Sequence, residues 1–172
     1  MLARPGVRGL APGRCSPAKE DLFLDRASGV VDRMSRWVRG RGAGESAAAA
    51  VLRELREEVE SVSPRVGLMD GYSEFMRVVH AAPALRSRLW AIQQEVHDNL
   101  VETLREETGA AADDPLPDLI AGQIGWVHQT AMAGIGRRMV EGGTPAEVSR
   151  EMLDVMEELL SEKVLNYAVR DA

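Results

Sequence analysis

The sequence predicts an all-α fold, a single bundle of helices, on three observations. Strong helix formers (Ala, Leu, Glu, Arg and Met) dominate the chain. No stretch alternates Val, Ile or Thr with polar residues in the way that a half-buried strand requires. The 172 residues, 45% of them hydrophobic, suffice for one globular domain with a sizeable core.

The N-terminal part divides into a leader and the start of the helical domain. Residues 1–15 contain three glycines and two prolines without helical periodicity, which predicts an irregular leader before a domain spanning residues 16–172. The first helix is expected over residues 16–39, because Ser16 can cap it and Pro17 suits its first turn. A glycine-rich GRGAG stretch ends this helix. Its expected apolar face consists of Phe23, Ala27, Val30, Met34 and Trp37.

Two shorter helices are expected next. The second covers residues 46–61 and must end before Pro64, because a residue that precedes proline disfavours helical geometry. The third covers residues 72–81, with Asp70 as its expected N-terminal cap. Its inward residues are predicted to be Phe75, Met76 and Val79.

Three longer helices complete the predicted bundle. Pro83 opens the fourth, which runs to Gly109. The fifth is expected over residues 118–141, before a Gly-Gly pair. The sixth begins at the sequence Thr-Pro-Ala-Glu from Thr144, which has the form of a capping box, and extends to about Tyr167.

The fifth helix has no charged residue from Leu119 to Gly136. A helix that is uncharged on every side must be covered on every side, and a small bundle offers little cover of its own. The sequence therefore predicts a homodimer in which the fifth and sixth helices form a two-fold interface; the alternative is two ordinary core helices. The residues expected at that interface are Gly122, Gly125, Ala133, Met152, Val155, Met156, Leu159 and Leu160.

The cysteine content and the charge distribution of the chain indicate its cellular compartment and whether it is expected to bind nucleic acid. The single cysteine, Cys15, cannot form an intrachain disulfide, which fits a cytoplasmic protein, and neither a signal peptide nor a membrane span is expected. Residues 1–45 hold nine basic and five acidic side chains, whereas the whole chain carries a net charge of −6. The acidic remainder would repel phosphate, so no general nucleic-acid-binding surface is expected there.

Catalytic and metal-binding patterns are weak in this sequence. His80, His97 and His128 lie on three different predicted helices without a local ligand motif. The sequence has no phosphate-binding glycine loop and no nucleophile motif of the hydrolases. We therefore expect no enzyme activity, no catalytic residue, no metal and no cofactor.

Two short motifs resemble the tetracycline-repressor-type (TetR) family of transcriptional regulators. The segment SPAKEDLF at residues 16–23 is similar to the F-P-x-K-E-x-L segment that opens the family's fourth helix, with Ser16 in the place of phenylalanine. The segment AAPALRSRLW at residues 81–90 is similar to the P-x-L-R-x-R opening of its seventh helix. The resemblance covers about residues 17–167 and implies the regulatory domain of such a protein, which dimerises through its last two helices.

The resemblance also implies a pocket for a small apolar or aromatic effector inside the bundle. In that family the pocket is lined by what correspond here to the first, third, fourth and fifth helices. The candidate lining residues are Tyr72, Met76, His80, Trp90, Gln93, Gln94, His97, Trp126, Gln129 and Met132.

The family's DNA-binding headpiece needs three helices, about 40 residues. Only sixteen residues precede Pro17, so DNA binding is expected only if a headpiece is supplied elsewhere; a truncation, a misassigned start and a frame change all remain open. Two other functions also remain open at this point. The chain could inhibit a full-length relative by forming heterodimers, or it could be a small helical carrier or enzyme.

Overall fold

The computed structural model describes residues 29–159, and the side chains of residues 29–156. Every regular element in this range is helical, which confirms the predicted all-α bundle. The predicted leader, residues 1–15, and the expected start of the first helix at Ser16 lie outside the described residues. The α-helices are α1 (Arg33–Arg39), α2 (Ala47–Glu60), α3 (Tyr72–Ala81), α4 (Pro83–Thr108), α5 (Leu116–Val140) and α6 (Pro145–Leu159).

Local capping chemistry marks several of the helix ends. The Ser46 side chain accepts a hydrogen bond from the Ala49 backbone N–H at 3.1 Å, and Gly109 ends α4 in the left-handed conformation with φ 65°. The expected capping box forms at the start of α6, where the Thr144 backbone N–H donates to Glu147 Oε2 at 3.1 Å. The Thr144 hydroxyl also donates to Glu147 Oε2 at 2.7 Å, and this side-chain hydrogen bond, together with the backbone one, lowers the pKa of Glu147.

Four details differ from the sequence predictions. A turn at Asp32 interrupts the first helix, so residues 29–31 are helical but α1 begins at Arg33. Gly71, with φ 77°, takes the capping position expected of Asp70. Phe75 is exposed on α3, and Val79 is the buried residue of that helix. Finally, α5 begins at Leu116 because Pro117 is accommodated in its first turn.

The bundle contains two apolar clusters joined by the long helix α5. One cluster includes Met34 and Val38 of α1 and Leu100 of α4, against Ala121 and Ile124 of α5. The other packs α2 and α6 around the C-terminal half of α5, where Ala131, Ile135 and Met139 point inward. The first cluster also forms one side of the cavity described below. No helix in residues 29–159 is long and apolar enough to cross a membrane.

Candidate functional site

A cavity of about 360 Å³ lies between α1, α4 and α5. This volume falls at the lower end of the range of about 300–1,000 Å³ that is typical of small-molecule sites. Its floor is formed by buried apolar side chains. The buried floor residues are Met34, Ile92, Leu100 and Ala121. A small apolar group entering this space would therefore exchange water for hydrocarbon.

Aromatic and amide side chains surround the cavity. Trp90 of α4 and Trp126 of α5 both line it, and each is 69% exposed. Three exposed glutamines also line it: Gln93, Gln94 and Gln129. Exposed tryptophans offer flat apolar surface for stacking, and the glutamines offer both donors and acceptors for orienting a ligand.

Arg33 brings a positive charge to the cavity wall from the first turn of α1. Its Nη1 lies 3.5 Å from Oε2 of Glu58 on α2 and donates to the Arg65 backbone carbonyl at 3.4 Å. The side chains of Arg33 and Glu58 are both only 14% exposed. Burial lowers the pKa of Arg33, an effect that the negative charge of Glu58 opposes. The guanidinium is therefore held in a poorly hydrated environment.

His128 lines the same cavity from α5. Burial, with a contribution from the nearby charge of Arg33, lowers the pKa of His128 to about 4. The ring is therefore neutral at pH 7, with one nitrogen able to donate a hydrogen bond and the other able to accept one. Among the described residues of the lining, Arg33 is then the group that is charged at every physiological pH.

His97 joins the two long helices beside the cavity. Its Nε2 lies 2.8 Å from Oδ1 of Asp118, so a hydrogen bond links α4 to the first turn of α5. The His97 ring lines the cavity, whereas the Asp118 side chain is 64% exposed and lies outside the lining. This bond fixes the position of one cavity wall relative to another.

Six of the ten pocket residues expected from the resemblance meet in this one lining: Trp90, Gln93, Gln94, His97, Trp126 and Gln129. The other four do not line it: Tyr72, Met76 and His80 are on α3, which contributes nothing to this cavity, and Met132 lies on α5 outside the lining. Tyr72 and Met132 pack against the other apolar cluster. Met76 is half-buried and His80 is exposed on α3. The third helix, which the resemblance implicates in a pocket, therefore does not line this cavity.

The sequence prediction did not include Arg33, and it treated His128 only as a metal candidate. A signal for Arg33 was present, since it lies three residues after Val30 and four before Trp37 and so shares the apolar face of the first helix. A charge on an apolar face needs a partner or a ligand. Gly122 and Gly125, expected at a dimer interface, also line the cavity.

The expected interface residues separate into two groups. Met152 and Met156 are buried in the chain's own core and so offer little surface to a second copy in this structure. Ala133 and Val155 are exposed. The side chain of Leu159 and the whole of Leu160 lie outside the described residues.

The outward face of α5 carries an apolar stripe that nothing in the described chain covers. Leu119 and Trp126 are 58% and 69% exposed, Val140 is 55% exposed, and Ala133 lies between them. These four residues repeat every seven positions, which places them on one face of the helix. We refer to Leu119, Trp126, Ala133 and Val140 as the outer stripe.

No group of three or more metal-ligating side chains occurs within residues 29–159. In comparisons with known proteins, no family model, no curated protein and no solved structure matches this chain. The cavity and the outer stripe are thus the features from which a function can be argued.

Proposed function

We propose that this chain is the ligand-sensing and dimerising part of a cytoplasmic transcriptional regulator of the TetR type. The observation that carries the proposal is the cavity between α1, α4 and α5, with its apolar floor and polar rim. Three of the four helices that the resemblance assigns to an effector pocket supply this lining. The proposed effector is a small apolar or aromatic molecule, which the protein binds without converting it.

Helix α1 is the proposed output element. Arg33 and Met34 of α1 line the cavity, and Met34 also belongs to the apolar cluster with Leu100 and Ala121. A ligand that contacts α1 in only one arrangement of the bundle shifts the population towards that arrangement. In an intact regulator of this type, the helix that includes α1 would pass the shift to a DNA-binding headpiece.

The cavity can be tested with a neutral aromatic probe, 2-naphthylacetamide. We expect saturable quenching of tryptophan fluorescence, because Trp90 and Trp126 both line the cavity. Gly125→Leu should weaken binding at least tenfold, since Gly125 lines the cavity and a β-carbon added there meets nothing within 4 Å, so a leucine side chain would occupy cavity space. Gly125→Ala is the matched control: it also removes a helical glycine, but it fills much less of the cavity and should leave the affinity within about threefold.

Two results would contradict this part of the proposal. One is equal binding of the probe by the wild type and by Gly125→Leu, which would place the probe elsewhere. The other is chemical conversion of the bound probe, visible by mass spectrometry, which would favour an enzyme. Slower hydrogen exchange of the α1 backbone in the presence of the probe is the expected sign of coupling to the output helix.

The proposed homodimer buries the outer stripe against its counterpart in a second copy. From Leu119 to Val140 the stripe is about 31 Å long and about 10 Å wide, or roughly 300 Å². A stable interface of standard size needs about 800 Å² from each partner. Helix α6, on which Val155 is exposed, is therefore expected to contribute as well.

Ala133→Glu should convert the proposed dimer to a monomer at micromolar concentration. The substitution places a carboxylate in the middle of the outer stripe, where a two-fold axis would bring two like charges together in an apolar contact. Ala84→Glu, at an exposed position near the start of α4, is the matched control and should leave the mass unchanged. Sedimentation equilibrium measures the mass, and a wild type that is already monomeric would refute the dimer.

A further inference from the structure

We propose that the cavity selects amphipathic monocarboxylates: molecules with a small aromatic or aliphatic body on the apolar floor and a carboxylate that pairs with Arg33. This inference rests on the proposed ligand-binding function and specifies the chemical class of the ligand. It follows from how charge is distributed around the cavity.

The lining formed by residues 29–156 contains positive or neutral groups and no carboxylate. Arg33 is the permanent charge in this lining, and His97 and His128 are the other titratable groups there. A cationic ligand would find no counter-charge in the wall, whereas an anionic ligand would find a guanidinium. Charge-assisted hydrogen bonds of guanidinium to carboxylate are about twice as strong as neutral ones.

Glu58 does not fully neutralise the positive charge of Arg33, because Glu58 also lies close to Arg65. Arg65 Nη1 lies 3.7 Å from Glu58 Oε1, and Arg33 Nη1 lies 3.5 Å from Glu58 Oε2. The three side chains together carry one net positive charge. In the described structure, Glu58 Oε2 accepts no hydrogen bond, so its contact with Arg33 is electrostatic and poorly aligned.

Arg33 also keeps hydrogen-bonding capacity. Its one hydrogen bond within residues 29–156 comes from Nη1, and neither Nε nor Nη2 donates a hydrogen bond to those residues. The Arg33 guanidinium carbon lies 5.9 Å from the centre of the Trp37 ring, a contact that supports the cation without neutralising it. The depressed pKa of Arg33 agrees with a charge that burial destabilises more than Glu58 stabilises it.

Two sources of negative charge oppose the attraction between Arg33 and a carboxylate ligand. The whole chain carries a net charge of −6, but its field is screened beyond about 8 Å at physiological ionic strength. Asp118 is closer to the cavity, yet it is 64% exposed and its Oδ1 is bound to His97 Nε2. Arg33 is the less hydrated of the two groups, with 14% exposure, and so its interaction with a bound carboxylate should prevail.

Three naphthalene compounds with the same ring but different charge test the proposal: 2-naphthylacetate (−1), 2-naphthylacetamide (0) and 2-(2-naphthyl)ethylamine (+1). Their dissociation constants for the full chain are measured at pH 7.4 by isothermal calorimetry. We expect the acetate to bind at least tenfold more tightly than the amide and the amine to bind least tightly. Raising the salt concentration should weaken binding of the acetate more than that of the amide.

Substitutions in α1 test whether Arg33 causes the preference for the acetate over the amide. Arg33→Gln should reduce the advantage of acetate over amide to within about threefold while changing the amide affinity little. Arg33→Lys keeps the charge and should retain part of the advantage. Arg36→Gln is the control, because the Arg36 side chain is 59% exposed and lies outside the cavity lining. Circular dichroism shows whether each variant folds. If Arg33→Gln does not fold, the affinities of the wild type and of Arg33→Lys for the three compounds still test the selectivity for carboxylates.

The outcomes separate the two proposals. Equal affinity for acetate and amide, or an acetate advantage that survives Arg33→Gln, would overturn the carboxylate selectivity and leave the cavity as a ligand site. Absence of binding by all three compounds would refute the ligand-binding function and the selectivity together.

Discussion

Leu55→Ala is expected to lower the free energy of unfolding by about 2–5 kcal/mol. Leu55 has no exposed surface and lies in the cluster formed by α2, α5 and α6, so removal of its isopropyl group leaves a cavity that rigid helices fill only partly. Domains are stable by about 5–15 kcal/mol, so this loss is a large share of the total. The midpoint of thermal unfolding should fall by about 10 °C for a loss of 3 kcal/mol.

Leu116→Ala is the matched control for that prediction. It makes the same chemical change at a leucine that is 57% exposed at the start of α5, and it should cost less than about 0.5 kcal/mol. Urea unfolding followed by far-ultraviolet circular dichroism measures both variants. Similar losses for the two leucines would mean that the cluster around Leu55 is not packed as described.

Helix ends were predictable where the chemistry is local. The capping box at Thr144 forms as expected, and α4 runs from Pro83 to the last residue before Gly109. Such signals act within one turn of helix, so the sequence contains all the information that they need. Asp70 failed as a cap because Gly71 follows it and adopts a left-handed conformation, a choice that the sequence left open.

The partner of each helix face was less predictable than the helix itself. Small residues on α5 suggested close approach by a second copy. At Gly134 the close neighbour is Met152 of the chain's own α6, whose Cε would lie 3.2 Å from a β-carbon added there. A glycine predicts close packing but does not identify the neighbour, since the tertiary arrangement decides which side chain fills the space.

In the candidate site, too, the sequence did not show which helices pack together. The resemblance assigned residues on α4 and α5 to one pocket, and all of these except Met132 line the cavity. The resemblance also implicated the third helix, which packs elsewhere, with Tyr72 against the α2–α5–α6 cluster. Arg33 reaches the cavity because α1 packs against both α2 and α4, a long-range arrangement that no local pattern specifies.

Gly67→Ala is expected to cost about 2–4 kcal/mol, from two separable causes. Gly67 has φ 87°, and a residue with a β-carbon loses about 1–2 kcal/mol in the left-handed region. An added β-carbon would also lie 2.8 Å from Cε2 of Tyr72. The other end of the Tyr72 ring lies against Gly136, where an added β-carbon would lie 2.7 Å from the hydroxyl oxygen. Two glycines thus make the space for this ring.

Gly71→Ala separates the two causes. Gly71 has φ 77°, but a β-carbon there meets nothing within 4 Å, so this variant should show the backbone cost alone, about 1–2 kcal/mol. A double-mutant cycle then isolates the contact with the ring. In a Tyr72→Ala background, the cost of Gly67→Ala should fall to that of Gly71→Ala, measured as the free energy of unfolding in urea. If Gly67→Ala costs the same with and without the tyrosine, the ring is not held between the two glycines, and the packing of α3 against α5 must differ from the one described.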